Sequence, residues 1–393
     1  MKDDRDAPLR SLAGIKVVEL GQNLAAPYAA GIFGDLGADV IKVEKPGGDD
    51  ARGWGPPFVD DLSTTFHLMN RNKKSIVLSV DQAEDKAVFM RLIGEADIFV
   101  HNLRPGVAEK LGIDSASLMK ANPRLIYCDM NAFGHAGPYQ QKPGYEPLLQ
   151  AFSGLVSVNG DPAGPASRVG PSIVDMGTGM WAVIGALAAL LQRQQTGKGS
   201  LIQTSLFETA LGWVSRHAAD YGATGKLPPR VGTGHNSLTP YGAFETADGP
   251  LVIAAGNDRL FAKLAGVLGH PAWVDDPRFA VNAERTRNRD VLLPLVEEIV
   301  KQKRRDEWIP LLEAVGVPCA PIQTVAEVLE HPQTQALGML AESGNAKLKI
   351  LGLPLSIDGK RAGFGTVAPQ LGQHQLELAF PEGAEVAAAG AAQ

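Results

Sequence analysis

Cysteine is nearly absent: Cys128 and Cys319 are the two in 393 residues, and their spacing matches no paired motif. That excludes a disulfide framework and a cysteine-built zinc site, and it favours a reducing compartment. An excess of positive charge is lacking as well. Lys and Arg total 37 against 43 Asp and Glu, a net charge of −6, which argues against a general nucleic-acid binder. The N-terminal Met1-Lys-Asp-Asp-Arg-Asp6 is short and acidic, and reads as neither a signal nor a transit peptide. The most apolar run, residues 180–191, is too short to span a bilayer and reads as a buried helix. The expected setting is cytoplasmic, with no membrane and no nucleic-acid partner. Catalytic signatures are missing too. No Gly-x-Gly-x-x-Gly follows the first strand, and there is no Walker A loop, no His-Glu-x-x-His and no Gly-x-Ser-x-Gly. His101, His135 and His235 are scattered, so no metal is expected.

What is present is an ordinary globular composition, 45% hydrophobic and 20% charged, long enough for two or three domains. Strand patterns at 15–20, 39–44, 74–79, 98–100 and 125–129 alternate with helical ones at 27–36, 84–93 and 116–121. Such alternation implies an α/β, Rossmann-like parallel sheet with ligands at the carboxyl ends of its strands. A Gly/Pro-rich stretch at 222–234 marks a boundary. A strand pattern at 251–254 and amphipathic helices at 259–268, 289–301 and 308–315 follow it. The expected division is a large domain over 1–222 and a smaller α+β domain over 223–325. Residues 326–380, with short strand patterns in 347–357, return to the large domain, and 381–393 form a disordered tail.

One carboxylate stands out. Asp175 lies in Val169-Gly-Pro-Ser-Ile-Val-Asp-Met-Gly-Thr-Gly-Met180, where 171–174 reads as a strand and 180–195 as a helix stopped by Gly197. At such a junction the free N–H groups of a helix start keep a carboxylate ionised and favour an oxyanion beside it. Capping alone is an equally good use of an Asp there, and the stretch leaves both open. Gly177 and Gly179 permit close approach of another backbone or a substrate. Tyr145 and Glu146 supply a second acid, and two carboxylates in one cleft divide roles as nucleophile and proton handler. Basic residues cluster at Lys42 and Lys45, at Arg71, Lys73 and Lys74, and at Arg104 and Lys110. They are candidates to hold phosphates, against the plainer use of solvating a surface.

The blocks Val18-Glu-Leu-Gly21, Leu36-Gly-Ala-Asp-Val-Ile-Lys-Val-Glu44, Asn102-Leu-Arg-Pro-Gly106, Phe133-Gly-His-Ala-Gly-Pro138 and Val174-Asp-Met-Gly-Thr-Gly179, with Gly316-Val-Pro-Cys-Ala-Pro321, fall in one order along the chain. In that order the sequence resembles the family III CoA-transferases from about residue 12 to 372. The resemblance implies an enzyme that moves CoA from an acyl-CoA donor such as succinyl-CoA to a short carboxylic or dicarboxylic acid such as itaconate, malate or a glutarate-type acid. Asp175 would be its covalent nucleophile, passing through anhydride and aspartyl-CoA thioester intermediates. CoA enters as substrate, with no tightly bound cofactor and no metal. Lys45, Leu78, Asn102 and Lys110 match CoA contacts by position, with Arg104 and Lys74 as further basic candidates. Tyr145 and Glu146 match an active-site pair of the oxalate-specific members.

Two departures from those members concern the acid. Leu24 stands where they have a glutamine, with Gln22 two residues away, and Ala254-Ala-Gly-Asn-Asp258 stands at a glycine-only lid loop, leaving Gly256 and Asn257 as its candidates. Both point from oxalate to a longer dicarboxylate. The alternatives on the same fold are a formyl-CoA:oxalate-type transferase and a 2-methylacyl-CoA racemase. A racemase would need a histidine where Tyr145 stands, and tyrosine is a poor base at neutral pH. A third reading, a non-catalytic CoA-binding protein, would fit a chain lacking Asp175. The family also implies an interlocked homodimer with the small domain inserted in the large one.

Overall fold

The computed structural model describes residues 9–342, 348–363 and 365–379. The expected disordered tail at 381–393 lies outside the described residues, as does Lys347. Aliphatic and β-branched runs form six strands: β1 (Lys16–Leu20), β2 (Asp39–Glu44), β3 (Lys73–Val77), β4 (Ile98–His101), β5 (Ile126–Asn131) and β6 (Leu201–Ser205). They pair in parallel in the order β3-β2-β1-β4-β5-β6. Both faces of the sheet are covered, so neighbouring strand residues serve opposite cores. Val17 packs into one apolar cluster and Val18 into the other. The chain direction of the order reverses between β1 and β4. That switch point is where α/β sheets open a ligand crevice.

Helix α1 (Ala25–Asp35) connects β1 to β2, and α2 (Ala83–Glu95) connects β3 to β4. Beyond β5 come α3 (Glu146–Phe152) and α4 (Ile173–Thr196), then α5 (Leu206–Trp213) after β6. The strand expected at 171–174 is a correction: the helix starts at Ile173, and Asp175 sits in its first turn. Ile and Val favour strands by intrinsic preference, but here helical packing decides, with Val174, Gly177, Thr178 and Ala182 buried along one face. Gly197 ends α4 in the left-handed conformation expected of it, at φ 69°. The apolar run is longer than expected. Over its 24 residues α4 is long and apolar enough to cross a membrane, while Ala182, Val183, Ala186 and Ala189 are buried in the sheet's core. Gly179 is needed for the fit against α1, since a Cβ there would stand 2.7 Å from the Ala25 carbonyl oxygen.

The edge strand β3 is closed by side chains rather than by another strand. The Val77 N–H donates to Gln375 Oε1 (2.8 Å), and Gln375 Nε2 donates to the Val77 carbonyl (3.1 Å). One step away the Ser75 N–H donates to His374 Nδ1 (3.1 Å), and the His374 N–H donates to the Ser75 carbonyl (3.0 Å).

The chain divides into two compact units. One comprises the described parts of Met1–Ser153, Gly170–Trp213 and Pro332–Gln393, and the other comprises Gly154–Val169 and Val214–His331. The second unit has its own core under an antiparallel sheet of β7 (Tyr241–Thr246), β8 (Gly249–Ala254) and β9 (Cys319–Pro321), ordered β9-β8-β7. Phe244, Leu251, Phe261, Phe279 and Trp308 fill that core. The buried Arg285 ties its loops, donating to the Thr239 carbonyl (2.8 Å), the Phe279 carbonyl (2.9 Å) and Asp258 Oδ1 (2.6 Å).

Candidate active site

At the carboxyl ends of β1, β4 and β5 a cavity of about 420 Å³ opens within the first unit. Its walls are the loop after β1 (Gln22 to Ala25), the loop after β4 (Asn102 to Pro105), Tyr145 and Glu146 at the start of α3, and Asp175. Asp175 is half-buried, and its carboxyl is pushed up to about 7. Burial is the larger cause and the neighbouring Glu146 carboxylate the smaller. Against both stands the helix start, whose first-turn N–H groups lack intrahelical partners and favour negative charge. The Ser172 side chain does not cap these groups.

Glu146 is the first residue of α3 and is buried, whereas the Tyr145 ring before it is 58% exposed. Gln150, one turn on and buried, donates from Nε2 to Glu146 Oε1 at 2.5 Å. Glu146 Oε2 is buried with no hydrogen-bond partner among the described residues. An orphaned carboxylate oxygen beside a second carboxyl that titrates near 7 is an arrangement suited to proton handling. Both acids stand in the first turns of their helices, so the two dipoles reinforce each other at the cavity.

Gln22, Leu24, Lys45, Asn102 and Arg104, all singled out by the sequence, line this same cavity. Asn102 is engaged with the chain itself: it accepts from the Gln22 N–H (3.0 Å) and donates to the Gln22 carbonyl (2.8 Å). Lys45 rests on Asp50 at 2.8 Å with both side chains exposed, a pairing weak enough to release for a phosphate. Leu78 lines an abutting cavity of about 380 Å³ with Val80, Leu103 and Leu111; Gln22, Lys45 and Leu103 border both spaces. The shared residues join the two spaces into a groove, with Asp175 and Glu146 in its first part and Leu78, Val80, Leu103 and Leu111 in its second.

Other candidates stand elsewhere. Lys74 lies on β3 opposite Ile41, toward the amino end of the sheet, and pairs with Glu377 (2.9 Å) and Asp39 (3.5 Å). Lys110 lies on the short helix Val107–Leu111 and lines neither cavity. Lys42 and Lys73 are buried on Glu19, and Arg71 is buried on Asp35. These three face acids of the protein itself, not an open phosphate site. Gly256 and Asn257 belong to the second unit, where Asn257 Oδ1 caps the helix Asp258–Val267 by accepting from the Leu260 N–H (2.9 Å). Sequence reasoning did not single out Asn23, Asp50, Trp54, Asn131 or Lys142, which also line the cavity. Gln150 was legible in principle, as a polar residue four positions after Glu146.

The fold agrees with what the chain is similar to. Residues 12–375 match the family described as CoA-transferase family III, and the chain belongs to that family. Among its relatives is the acetyl-CoA:oxalate CoA-transferase of Acetobacter aceti, 38% identical over 94% of this chain and 96% of that protein. The human succinyl-CoA:glutarate CoA-transferase is 35% identical over 94% and 85%. A solved CAIB/BAIF family protein from Brucella suis superimposes with a TM-score of 0.84 at 39% identity, covering 94% of this chain and 98% of that one.

Proposed function

We propose that the enzyme transfers CoA from an acyl-CoA donor such as succinyl-CoA to a short dicarboxylic acid, with Asp175 as nucleophile. The Asp175 carboxylate attacks the thioester carbonyl, the C–S bond breaks, and CoA leaves as thiolate, giving a mixed anhydride. The thiolate attacks the aspartyl carbonyl of that anhydride, which frees the donor acid and leaves an aspartyl-CoA thioester. The acceptor carboxylate displaces the thiolate to form a second anhydride. Attack of the thiolate on the acceptor's acyl carbon then yields the new thioester and restores Asp175. Thioester energy is conserved throughout, so no ATP is consumed. Water has to be kept out, because each acylated intermediate would hydrolyse.

The observation that carries this reading is the pairing of Asp175 with Glu146 at two helix starts in one cavity. Tyr145, Glu146, Lys45, Leu78 and Arg104 are the proposed contacts along the groove, with phosphates toward the basic residues. The reading extends to a cytoplasmic, interlocked homodimer with the smaller domain inserted in the larger. A second acceptor, oxalate, is favoured by the 38% identity to the acetyl-CoA:oxalate CoA-transferase. Leu24 in the cavity wall favours a longer acid, because it offers methyl groups where a carboxylate end would want a donor.

The test is to incubate the enzyme with succinyl-CoA and labelled oxalate, succinate, malate, itaconate or glutarate, then assay acceptor-CoA and a hydroxylamine-trapped adduct at Asp175. Asp175→Ala is expected to lower transfer by about a thousandfold or more. Transfer persisting in that variant would sink the nucleophile assignment.

A further inference from the structure

Four charges lie buried beneath the cavity: Glu19 on β1, Lys42 on β2, Lys73 on β3 and Asp49 in the loop after β2. Glu19 accepts from Lys42 Nζ through Oε1 and from Lys73 Nζ through Oε2, both at 2.7 Å. Lys42 Nζ also lies 3.0 Å from Asp49 Oδ2. Two acids balance two bases, so the set is neutral, yet removing four ions from water is costly. Hydrophobic residues of similar volume often serve stability as well or better, so stability alone does not explain such a cluster.

Several of its remaining hydrogen bonds reach the backbone of the segment after β1. Lys42 Nζ donates to the Gly21 carbonyl (2.9 Å), and Lys73 Nζ donates to the Pro27 carbonyl (2.8 Å) and to Asn70 Oδ1 (2.9 Å). Asp49 Oδ1 accepts from the Asn23 N–H (3.1 Å) and the Ala51 N–H (3.0 Å). Segment 21–27 is therefore attached to the cluster at Gly21, Asn23 and Pro27. Between these points lie Gln22, Asn23, Leu24 and Ala25, the cavity's wall. Asn23 is held there at φ 67°, a left-handed conformation that a free loop would seldom choose. The cluster also reaches the facing loop, since the Asp49 N–H donates to Glu44 Oε2 (3.0 Å) and Glu44 grips Arg52 at 2.8 and 2.6 Å.

We infer that Glu19, Lys42, Lys73 and Asp49 are positioning residues: a neutral buried ion cluster that fixes the cavity wall 22–25 and thereby sets acceptor fit and water exclusion during acyl transfer. The inference rests on the proposed reading of this cavity as the acyl-transfer site. It accounts for two lysines that the sequence offered as phosphate ligands. A rigid wall matters because the acylated carboxylate has water as its competitor, and a wall displaced by about 1 Å costs on the order of 10²-fold in rate.

The test uses Asp49→Asn and the charge-matched double variant Glu19→Gln/Lys42→Gln in the full chain. With succinyl-CoA as donor, the expected result is a KM for the acceptor acid raised about tenfold and a hydrolysed share of thioester raised about fivefold. Circular dichroism and the melting temperature serve as the control for folding. Folded variants whose acceptor KM and hydrolysed share both stay within about twofold of the parent would overturn the inference. A second measurement needs no variant: amide hydrogen exchange in the unaltered enzyme. The Asn23 amide, which donates to Asp49, is expected to be protected, and its exchange at unstructured-loop rates would also overturn the inference. Failure of the catalytic reading itself looks different, because transfer would then survive Asp175→Ala.

Discussion

Gln22 and Asn102 hold one another by two hydrogen bonds, at 3.0 and 2.8 Å, across the point where the strand order reverses. The loops after β1 and β4 are thereby joined into one lip over the cavity that contains Asp175. Asn102, a candidate CoA contact by its sequence block, also stitches the backbone of the cavity lip with its carboxamide. A carboxylate at Asn102 would keep the acceptor oxygen and lose the donor.

The protonation of Asp175 predicts a pH profile. In the proposed mechanism only its ionised form attacks a thioester, and burial with the nearby Glu146 raises its titration to about 7. Transfer is expected to rise with pH and level off above about 7, falling about tenfold per unit below it. Glu146→Gln removes the second cause and should move this acid limb to lower pH. An acid limb near 4 in the unaltered enzyme would contradict the site's electrostatics.

The same shift has a consequence for stability. An unfolded aspartate titrates near 3.9, so between about 4 and 7 the folded protein binds the extra proton. Stability from this group is therefore present at low pH and lost as pH rises through 7. Urea unfolding of Asp175→Asn should show a gain over the parent that grows from pH 4 to 7 and then levels off. A gain independent of pH would show that burial does not govern this carboxyl.

Gly179 predicts a packing effect. In Gly179→Ala the new methyl would stand 2.7 Å from the Ala25 oxygen and 3.2 Å from the Ala29 nitrogen, all backbone atoms of α1. Neither can move without shifting the helix, so a loss of about 1–3 kcal/mol is expected in denaturant unfolding. Since α1 begins at the cavity wall, the acceptor KM should rise with it. Unchanged stability would mean that the two helices separate easily.

The basic residues divide into two groups with opposite predictions. Arg104→Gln should raise the KM for the CoA thioester about tenfold, because it removes a charge at the cavity mouth. Lys74→Gln should leave that KM within about twofold, since Lys74 stands at the far end of β3 on Glu377. Equal effects from both would place the phosphates elsewhere.

Five of the sheet's six strands were legible as short runs bounded by turns, and β2 begins and ends where its pattern does, at Asp39 and Glu44; β6 was not, because Gln203, Thr204 and Ser205 make it half polar. Asp175 was legible as an acid beside a helix-start signal, and Glu146 as a second acid in the Tyr145-Glu146 pair. The helical start at Ile173 was not, because two β-branched residues suggest a strand until the partners of Val174 are known. The fate of Lys42 was hidden for a different reason. Its identity as an internal ion depends on register, which sets it directly opposite Glu19 on the adjacent strand. Register is a property of pairing between distant segments, and a charge pattern read along one strand carries no trace of it. Lys73 reaches the same glutamate only through the third strand.

Gln375 and His374 give the sheet's outer margin a further meaning. An unpaired parallel edge is a template on which a second chain can grow, and here four backbone groups of Ser75 and Val77 are already answered by a glutamine, a histidine and their own main chain. The segment that supplies them works as a stopper against edge-to-edge growth. Breaking these bonds by substitution at Gln375 and His374 would leave Leu378 and Ala379 on the sheet's apolar cluster and open a seam, so the first symptom would be aggregation, ahead of any loss of catalysis.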